Sequence, residues 1–179
     1  DITITGGTYS NGYFIRNYGI ATINDLIDTS NSDADMYNYG GTLNLNNVDK
    51  SKSSSPVSNN NNGTINITGG SYHKYISNSS GNLNINDATI NTSDNGLSNS
   101  QSGVVTINNS TITAVNTENG TIYNEENAIL KVTDSTISKT DTTGNTILNS
   151  GTATFDNTKF NHNTSSSYSY YNIVNNSTG

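Results

Sequence analysis

The stretches GNLNINDATI (81–90), GVVTINNSTI (103–112) and AILKVTDSTI (128–137) repeat one pattern. Each has two large apolar residues separated by one residue, an aspartate or asparagine two positions later, and a final isoleucine. Alternation with a period of two is typical of a β-strand, whereas aspartate, asparagine and glycine tolerate the left-handed backbone of a turn. The pattern therefore predicts a strand, a corner and a second short strand.

The same strand recurs eight times, with successive second apolar positions 18 to 25 residues apart. Its apolar pairs are Ile2/Ile4, Ala21/Ile23, Leu43/Leu45, Ile65/Ile67, Leu83/Ile85, Val105/Ile107, Leu130/Val132 and Ala153/Phe155. A repeat of this length indicates a solenoid, in which stacked units bury a core that one unit cannot bury alone. We expect an all-β, right-handed parallel β-helix (β-solenoid) of about eight coils of ~22 residues. It forms a single domain over residues 1–179.

The corner residue and the large residue three positions after it also recur. The corner residues are Gly6, Asp25, Asn47, Gly69, Asp87, Asn109, Asp134 and Asn157. Three positions later most coils carry a large residue for the core: Tyr9, Tyr72, Ile90, Ile112, Ile137 and Phe160. Asp28 and Lys50 take this position in the second and third coils, and we expect distorted corners there.

Each coil closes on an apolar residue, any residue, and then asparagine. The asparagines are Asn17, Asn38, Asn59, Asn78, Asn99, Asn124, Asn149 and Asn175. Amides at the same position of every coil can hydrogen-bond along the stack. We therefore predict an asparagine ladder, which satisfies groups that would cost about 1–3 kcal/mol each if buried unpaired.

Composition excludes several function classes. The net charge is −7, charged residues make up 12%, and lysine and arginine do not cluster, so we expect no nucleic-acid partner. No window has the ~18 apolar residues of a membrane span, so we expect no membrane contact by this segment. The chain starts at Asp1 and stops at Gly179 within a repeat. We expect a fragment of a longer repeat protein, with its export signal and anchor outside this segment.

The repeats resemble the parallel β-helix repeats of bacterial and archaeal adhesin-like cell-surface proteins, whose solenoid is of the pectin-lyase-like type. The resemblance rests on the three stretches quoted above and on TIYN (121–124) and TILN (146–149), and it covers essentially the whole chain. It implies an extracellular location at the cell surface. It also implies a role as stalk, adhesive tip or polysaccharide-processing scaffold.

Similar β-helices include pectate lyases and tailspike glycosidases, so an enzyme must be considered. Two carboxylates acting on one glycosidic bond lie about 5 to 9.5 Å apart. Glu125 and Glu126 are neighbours on an extended segment and point to opposite faces, while Asp87 and Asp134 are two coils apart. We predict no catalytic residues. We also predict no metal site and no cofactor, with Asp28, Asp33 and Asp35 in a solvated loop and His73 and His162 on the surface.

Exposed aromatic residues form the candidate binding site. Tyr18, Tyr37 and Tyr39 flank the asparagine ladder of the first two coils beside Arg16, the single arginine. Aromatic rings beside a cation suit a sugar ring or an acidic polysaccharide. A second group, Tyr168, Tyr170 and Tyr171, lies in the last loop.

We therefore expect a non-enzymatic segment of a cell-surface adhesin. We expect it to present a rigid rod and to bind host or environmental glycans, or surface proteins of a host or partner cell. A polysaccharide-binding or polysaccharide-cleaving module is the alternative. An ice-binding solenoid is a minor one, because threonine and asparagine line the outer face of the first strand. The open β-edges at both ends also allow self-association.

Overall fold

The computed structural model describes residues 1–10, 12–30, 36–115, 120–142, 144–163 and 170–176. Within these residues the chain forms short β-strands and no helix, and hence no helix long and apolar enough to cross a membrane. The strands assemble into three parallel sheets of eight strands each.

Each coil contributes one strand to each sheet. The first sheet contains β1 (Ile2–Thr5), β4 (Ile20–Asn24), β7 (Thr42–Asn46), β10 (Thr64–Thr68), β13 (Asn82–Asn86), β16 (Val104–Asn108), β19 (Ile129–Thr133) and β22 (Thr152–Asp156). The second contains β2 (Thr8–Tyr9), β5 (Ile27–Asp28), β8 (Asp49–Lys50), β11 (Ser71–Tyr72), β14 (Thr89–Thr92), β17 (Thr111–Ala114), β20 (Thr136–Lys139) and β23 (Lys159–His162). The third contains β3 (Ile15–Asn17), β6 (Met36–Tyr39), β9 (Val57–Asn60), β12 (Ile76–Ser79), β15 (Leu97–Ser100), β18 (Ile122–Asn124), β21 (Ile147–Asn149) and β24 (Ile173–Asn175).

Strands pair only with the equivalent strands one coil earlier and one coil later. Partner residues in the first sheet are 18 residues apart between β10 and β13 and 25 apart between β16 and β19. Seven turns of the chain lead from β1 to β22, and β23 and β24 complete the eighth rung. The predicted all-β parallel solenoid is therefore confirmed.

Columns of apolar side chains fill the inside of the coil. In the first sheet Ile65 stands beside Leu83 and Ile67 beside Ile85, and all four are fully buried. The third sheet adds a column from Met36 through Ile147. Since neighbouring coils cover each other, a few apolar residues per coil suffice to close the core.

The corner between the first and second sheets has the predicted backbone. All eight predicted corner residues have positive φ, from 43° at Asn157 to 68° at Gly6 and Gly69. This is the left-handed region, which glycine, asparagine and aspartate tolerate best. Glycine, asparagine and aspartate therefore recur at the corner because every corner needs a left-handed backbone conformation.

The corners of the second and third coils are not distorted, which corrects the prediction. β5 and β8 stay in the second sheet, with Tyr9 paired to Asp28 and Lys50 paired to Tyr72. Asp28 and Lys50 are almost completely buried and form an ion pair with each other. Two opposite charges in consecutive coils neutralise one another, so the column continues through them.

Coil length varies mainly at one place. The step from the first sheet to the second is always five positions, from Ile4 to Tyr9 in the first coil and from Phe155 to Phe160 in the last. The step from the third sheet to the next strand of the first sheet varies little, from six positions (Ile15 to Ala21) to eight (Val57 to Ile65). The step from the second sheet to the third ranges from four positions (Tyr72 to Ile76) to thirteen (Phe160 to Ile173), so most extra residues enter there.

Candidate functional site

The first two strands of the third sheet, β3 and β6, carry the predicted aromatic site. Their inward residues are Asn17, Met36 and Asn38, which are buried. The intervening residues point outward because side chains alternate along a strand. Arg16 is thereby brought into register with Tyr37 one coil later.

The outward side chains form one continuous surface. The rings of Tyr18 and Tyr39 lie edge to face with centroids 5.5 Å apart. Tyr13, Arg16 and Tyr37, with the partly buried Ile15, line a surface cleft of about 370 Å³. We call Tyr13, Arg16, Tyr18, Tyr37 and Tyr39 the tyrosine–arginine patch. Tyr13 is 80% exposed and Tyr18 63% exposed, so much of its aromatic surface faces solvent.

The guanidinium of Arg16 has no carboxylate partner among the described residues. The ion pairs of this part of the chain join Lys50 to Asp28, Lys74 to Asp94 and Lys139 to Asp141. Within the described residues no carboxylate compensates the charge of Arg16, which lies beside aromatic rings on a chain whose net charge is −7. A guanidinium carries five N–H donors and can bind an anion.

The second tyrosine group is not brought to the same place. Tyr171 is 62% exposed, and its backbone N–H donates to Asn145 Oδ1 at 2.9 Å. Tyr170 is partly buried, and Tyr168 lies outside the described residues. Tyr170 and Tyr171 precede β24 in the last rung, roughly 34 Å from the first rung at the usual strand spacing. These two tyrosines therefore cannot form one site with Arg16, Tyr18, Tyr37 and Tyr39.

The asparagine ladder is continuous and fixes the strands under the patch. Asn17 Nδ2 donates to Asn38 Oδ1 at 2.8 Å, and Asn38 Nδ2 donates to Asn59 Oδ1 at 2.8 Å. The same bond continues through Asn78, Asn99, Asn124 and Asn149 to Asn175, at 2.7 to 3.0 Å. The predicted ladder is confirmed for all eight asparagines.

A second set of amide bonds runs along the outer face of the first sheet. Asn84 Nδ2 donates to Asn66 Oδ1, and Asn66 Nδ2 donates to Asn44 Oδ1, at 2.9 and 2.8 Å. Sequence reasoning treated this face as solvated and missed the row, although asparagine repeats there in three consecutive coils. The amides bind one another, which leaves fewer of their groups to organise water in an ice-like array.

A buried polar cluster surrounds the Asp28–Lys50 pair, and the sequence did not predict it. Asp28 lies buried in β5, so the prediction that it belongs to a solvated loop was wrong. Asp28 Oδ1 accepts hydrogen bonds from the Ser30 hydroxyl at 2.6 Å and the Ser30 N–H at 2.9 Å. Ser53 Oγ lies 3.2 Å from both Asp28 Oδ2 and Lys50 Nζ. Burial alone would raise the pKa of Asp28, but the bonds from Lys50 and Ser30 and the charge of Lys50 hold that pKa below its ordinary value. The cluster is closed to solvent, so it offers no reactive site.

His162 is partly buried, not a surface residue as predicted. Its Nδ1 lies 3.0 Å from Thr146 Oγ1, and its buried Nε2 has no hydrogen-bond partner among the described residues. In register with it stands the buried Lys139, whose Nζ lies 2.5 Å from Asp141 Oδ1. Burial and the charge of Lys139 lower the pKa of His162, against the smaller opposite effect of Asp141.

The corner carboxylates are engaged in local bonds. Asn109 Nδ2 donates to Asp87 Oδ1 at 2.6 Å, and Asn157 Nδ2 donates to Asp134 Oδ1 at 2.5 Å. Among the described residues, no three histidine, aspartate or glutamate side chains are grouped to hold a metal ion. Asp33 and Asp35 lie outside the described residues.

Comparisons with protein-family models, curated proteins and solved structures give no match.

Proposed function

We propose that this chain is a non-enzymatic segment of an extracellular cell-surface adhesin, which holds a glycan-binding patch on a rigid rod. The observation that carries the proposal is the tyrosine–arginine patch. It combines an exposed edge-to-face tyrosine pair with an arginine that has no carboxylate partner among the described residues.

The chemistry of the patch suits a sugar. A tyrosine ring offers a flat apolar face to the C–H face of a pyranose, and its hydroxyl still reaches solvent or a sugar hydroxyl. The planar guanidinium of Arg16 can bind a carboxylate or sulfate group with two parallel hydrogen bonds. The patch therefore favours an acidic glycan over a neutral one.

The fold supports such a site by fixing the spacing of its residues. Asn17 and Asn38 are bonded to each other directly beneath the patch, and both are buried. The strands that carry Arg16 and Tyr37 therefore cannot shift relative to each other without breaking the ladder. A preorganised surface of this kind loses less conformational entropy on binding.

A polysaccharide-cleaving module would use the same outer surface with a pair of carboxylates. The patch itself contains no carboxylate, and Asp87 and Asp134 accept hydrogen bonds from neighbouring asparagines. Binding without cleavage is therefore the stronger reading of this surface.

The test is binding to a glycan and polysaccharide array that contains acidic and neutral polymers, followed by calorimetry and a cleavage assay on each hit. We expect acidic glycans to bind and to remain intact. Tyr37→Ala and Arg16→Ala should each weaken binding about tenfold or more, since an interaction of ~1.4 kcal/mol is lost.

Tyr123→Ala is the matched control. Tyr123 stands in the same outward column as Arg16 and Tyr37, four rungs beyond Tyr37, and is also partly exposed. Its removal should leave affinity unchanged. Equal loss in the control and the patch variants, or an array with no hits, would contradict the proposal. Turnover of a bound polymer would favour the enzyme.

A further inference from the structure

A cleft of about 180 Å³ opens on the outside of the second sheet, across the third, fourth and fifth coils. Each of these coils pairs with a coil on both sides, so the cleft is formed entirely within the stack. We call it the His73 cleft. Its lining residues are Ser51, Ser71, Tyr72, His73, Thr89 and Asn91.

The His73 cleft lies where one short connection stands between two longer ones. In the fourth coil the step from the second sheet to the third takes four positions, from Tyr72 to Ile76. The same step takes seven positions in the third coil, from Lys50 to Val57, and also seven in the fifth coil. The fourth coil therefore has fewer residues here than the coil on either side, which leaves room for a cleft.

The strands of the second sheet direct two hydroxyl groups into the cleft. Ser71 and Thr89 stand in register in β11 and β14, and the strand spacing is about 4.8 Å. The next residue of each strand, Tyr72 or Ile90, is buried in the core. Because side chains alternate along a strand, Ser71 and Thr89 point outward.

Local bonds hold the connections on both sides of the cleft. Lys74 of the fourth coil forms an ion pair with Asp94 of the fifth. The Thr92 hydroxyl donates to the backbone oxygen of Asp94 at 2.6 Å. In the third coil the Ser51 N–H donates to Asp49 Oδ1 at 2.9 Å. A cleft that is ordered in this way loses less conformational entropy when it binds a ligand.

The side chains that line the cleft are well suited to bind hydroxyl groups. Ser71 and Thr89 contribute hydroxyls, His73 an imidazole and Asn91 an amide, and each of these groups can both donate and accept hydrogen bonds. Within the described residues none of these four side chains is hydrogen-bonded to another part of the chain. His73, Thr89 and Asn91 are exposed and Ser71 is partly exposed, so a ligand can reach all four.

The charges around the cleft are matched. Lys74 is paired with Asp94. Hydrogen bonds from Ser51, followed by the charge of Lys52, lower the pKa of Asp49 against the opposing effect of burial. Each of these two lysines thus has a carboxylate near it, which leaves no excess charge to select an ionic ligand. The cleft also differs from the tyrosine–arginine patch in having no exposed aromatic ring among its lining residues.

From these features we infer that the His73 cleft binds one unit of a neutral sugar through its hydroxyl groups. Its volume is below the roughly 300–1,000 Å³ of pockets that hold drug-sized ligands, so it suits a single sugar ring. The tyrosine–arginine patch lies on the third sheet in the first two coils and favours an acidic glycan. The cleft is therefore a second site with a different specificity, and it does not rest on the function proposed for the patch.

Nuclear magnetic resonance titration of the 15N-labelled chain tests this inference. The probes are the methyl glycosides of glucose, galactose, mannose and N-acetylglucosamine, with methyl glucuronide as the charged comparison. We expect at least one neutral glycoside to shift the amide signals of Ser71, His73, Thr89 and Asn91 in a saturable way, with a dissociation constant in the millimolar range. The absence of such shifts with every neutral glycoside, or tighter binding of the glucuronide at these residues, would overturn the inference.

Thr89→Ala and Thr111→Ala form a matched pair of variants. Both threonines are exposed and stand in the same outward column, one rung apart, but only Thr89 lines the cleft. Thr89→Ala should weaken binding of the neutral glycoside about fivefold, the loss of one hydrogen bond. Thr111→Ala should leave the affinity unchanged. Equal affinities of the two variants would contradict the assignment, and the amide spectrum of each variant shows whether the solenoid has formed.

Tyr37→Ala separates the cleft from the tyrosine–arginine patch. It should leave binding of the neutral glycoside unchanged, while Thr89→Ala should leave binding of an acidic glycan unchanged. Loss of neutral-glycoside binding in Tyr37→Ala would mean that this sugar binds at the patch, and the inference would be wrong. Failure of one site is therefore distinguishable from failure of the other.

Discussion

Two opposite charges lie inside the column of large side chains that lines the second sheet. Asp28 and Lys50 are 1% exposed, and three buried serines complete their hydrogen bonding. Removing charges from water costs several kcal/mol each, and the ion pair recovers that cost only while both partners are present. The pair therefore determines how this part of the core responds to substitution.

Lys50→Met should lower the free energy of unfolding by about 3–5 kcal/mol, because it leaves Asp28 buried without its counter-charge. The double variant Lys50→Met with Asp28→Leu should recover most of that loss or exceed the wild type, since an apolar pair needs no desolvation. Urea unfolding of the three proteins measures both effects. A double variant that is less stable than Lys50→Met would contradict this account.

His162 makes stability depend on pH. Its pKa in the folded chain is lower than its ordinary value of 6.5, so below that value the unfolded chain binds more protons than the folded one. Stability should therefore fall as pH drops from about 7.5 to about 5.5, the range in which histidine ordinarily titrates. The melting temperature across this range measures the fall.

His162→Gln should show a smaller fall over the same pH range, because the titrating group next to Lys139 and Asp141 is gone. His73→Gln is the control, since His73 is exposed and the variant keeps His162. It should reproduce the pH dependence of the wild type. If the two variants behave alike, His162 is not the group responsible.

At the scale of the elements, the asparagine ladder and the outer row of asparagines on the first sheet join each strand to the equivalent strands of neighbouring coils. Asn78 is fully buried, whereas Asn66 in the outer row is partly exposed. Asn78→Ala leaves Asn99 Oδ1 without its ladder donor, whereas Asn59 Nδ2 keeps the backbone oxygens of Gly63 and Asn82 as acceptors. We expect a loss of about 1–3 kcal/mol for the buried oxygen that is left unpaired.

Asn66→Ala is the matched comparison, because it removes the same side chain from the row that water can reach. It should cost at most about 1 kcal/mol, since water replaces the lost bonds. Denaturant unfolding of both variants gives the difference. Equal losses would mean that the inner ladder does not stabilise the fold more than the outer row does.

Most of these elements could be predicted from the sequence because their spacing repeats. The step of five positions between Ile4 and Tyr9 recurs in every coil, so the corner and its two strands could be predicted. The ladder could be predicted because every coil repeats the pattern of an apolar residue, any residue and asparagine. The ion pair was also readable in principle, since opposite charges stand at one position of consecutive coils. The prediction of distorted corners was wrong because Asp28 and Lys50 were each treated as a single charge in the core, not as an ion pair between consecutive coils.

The candidate site was only partly predictable for a physical reason. Arg16 and Tyr37 lie in strands, so the coil register places them side by side. Tyr13 was missed because it lies in the connection between the second and third sheets, where the step length changes from coil to coil. A repeat cannot predict the position of a residue in a segment that does not repeat.

At the scale of the whole molecule, stability is distributed along one axis. Within the described residues each strand pairs only with strands of the coils next to it, so the terminal coils have one paired neighbour and the middle coils two. Hydrogen exchange should therefore be slowest in β10, β13 and β16 and fastest in β1 and β24. Mass spectrometry of peptides from monomeric protein measures this gradient. Uniform protection along the chain would instead indicate one cooperative unit.

The variable step between the second and third sheets separates the residues that hold the fold together from the residues whose number can change. The core columns and the ladder hold the three sheets of every coil in register, while this connection changes length most, from four to thirteen positions. A change of length there leaves the register of the three sheets unchanged. The solenoid thus behaves as a display scaffold, in which lineages can diversify one edge, or an engineer can graft onto it, while the backbone stays the same.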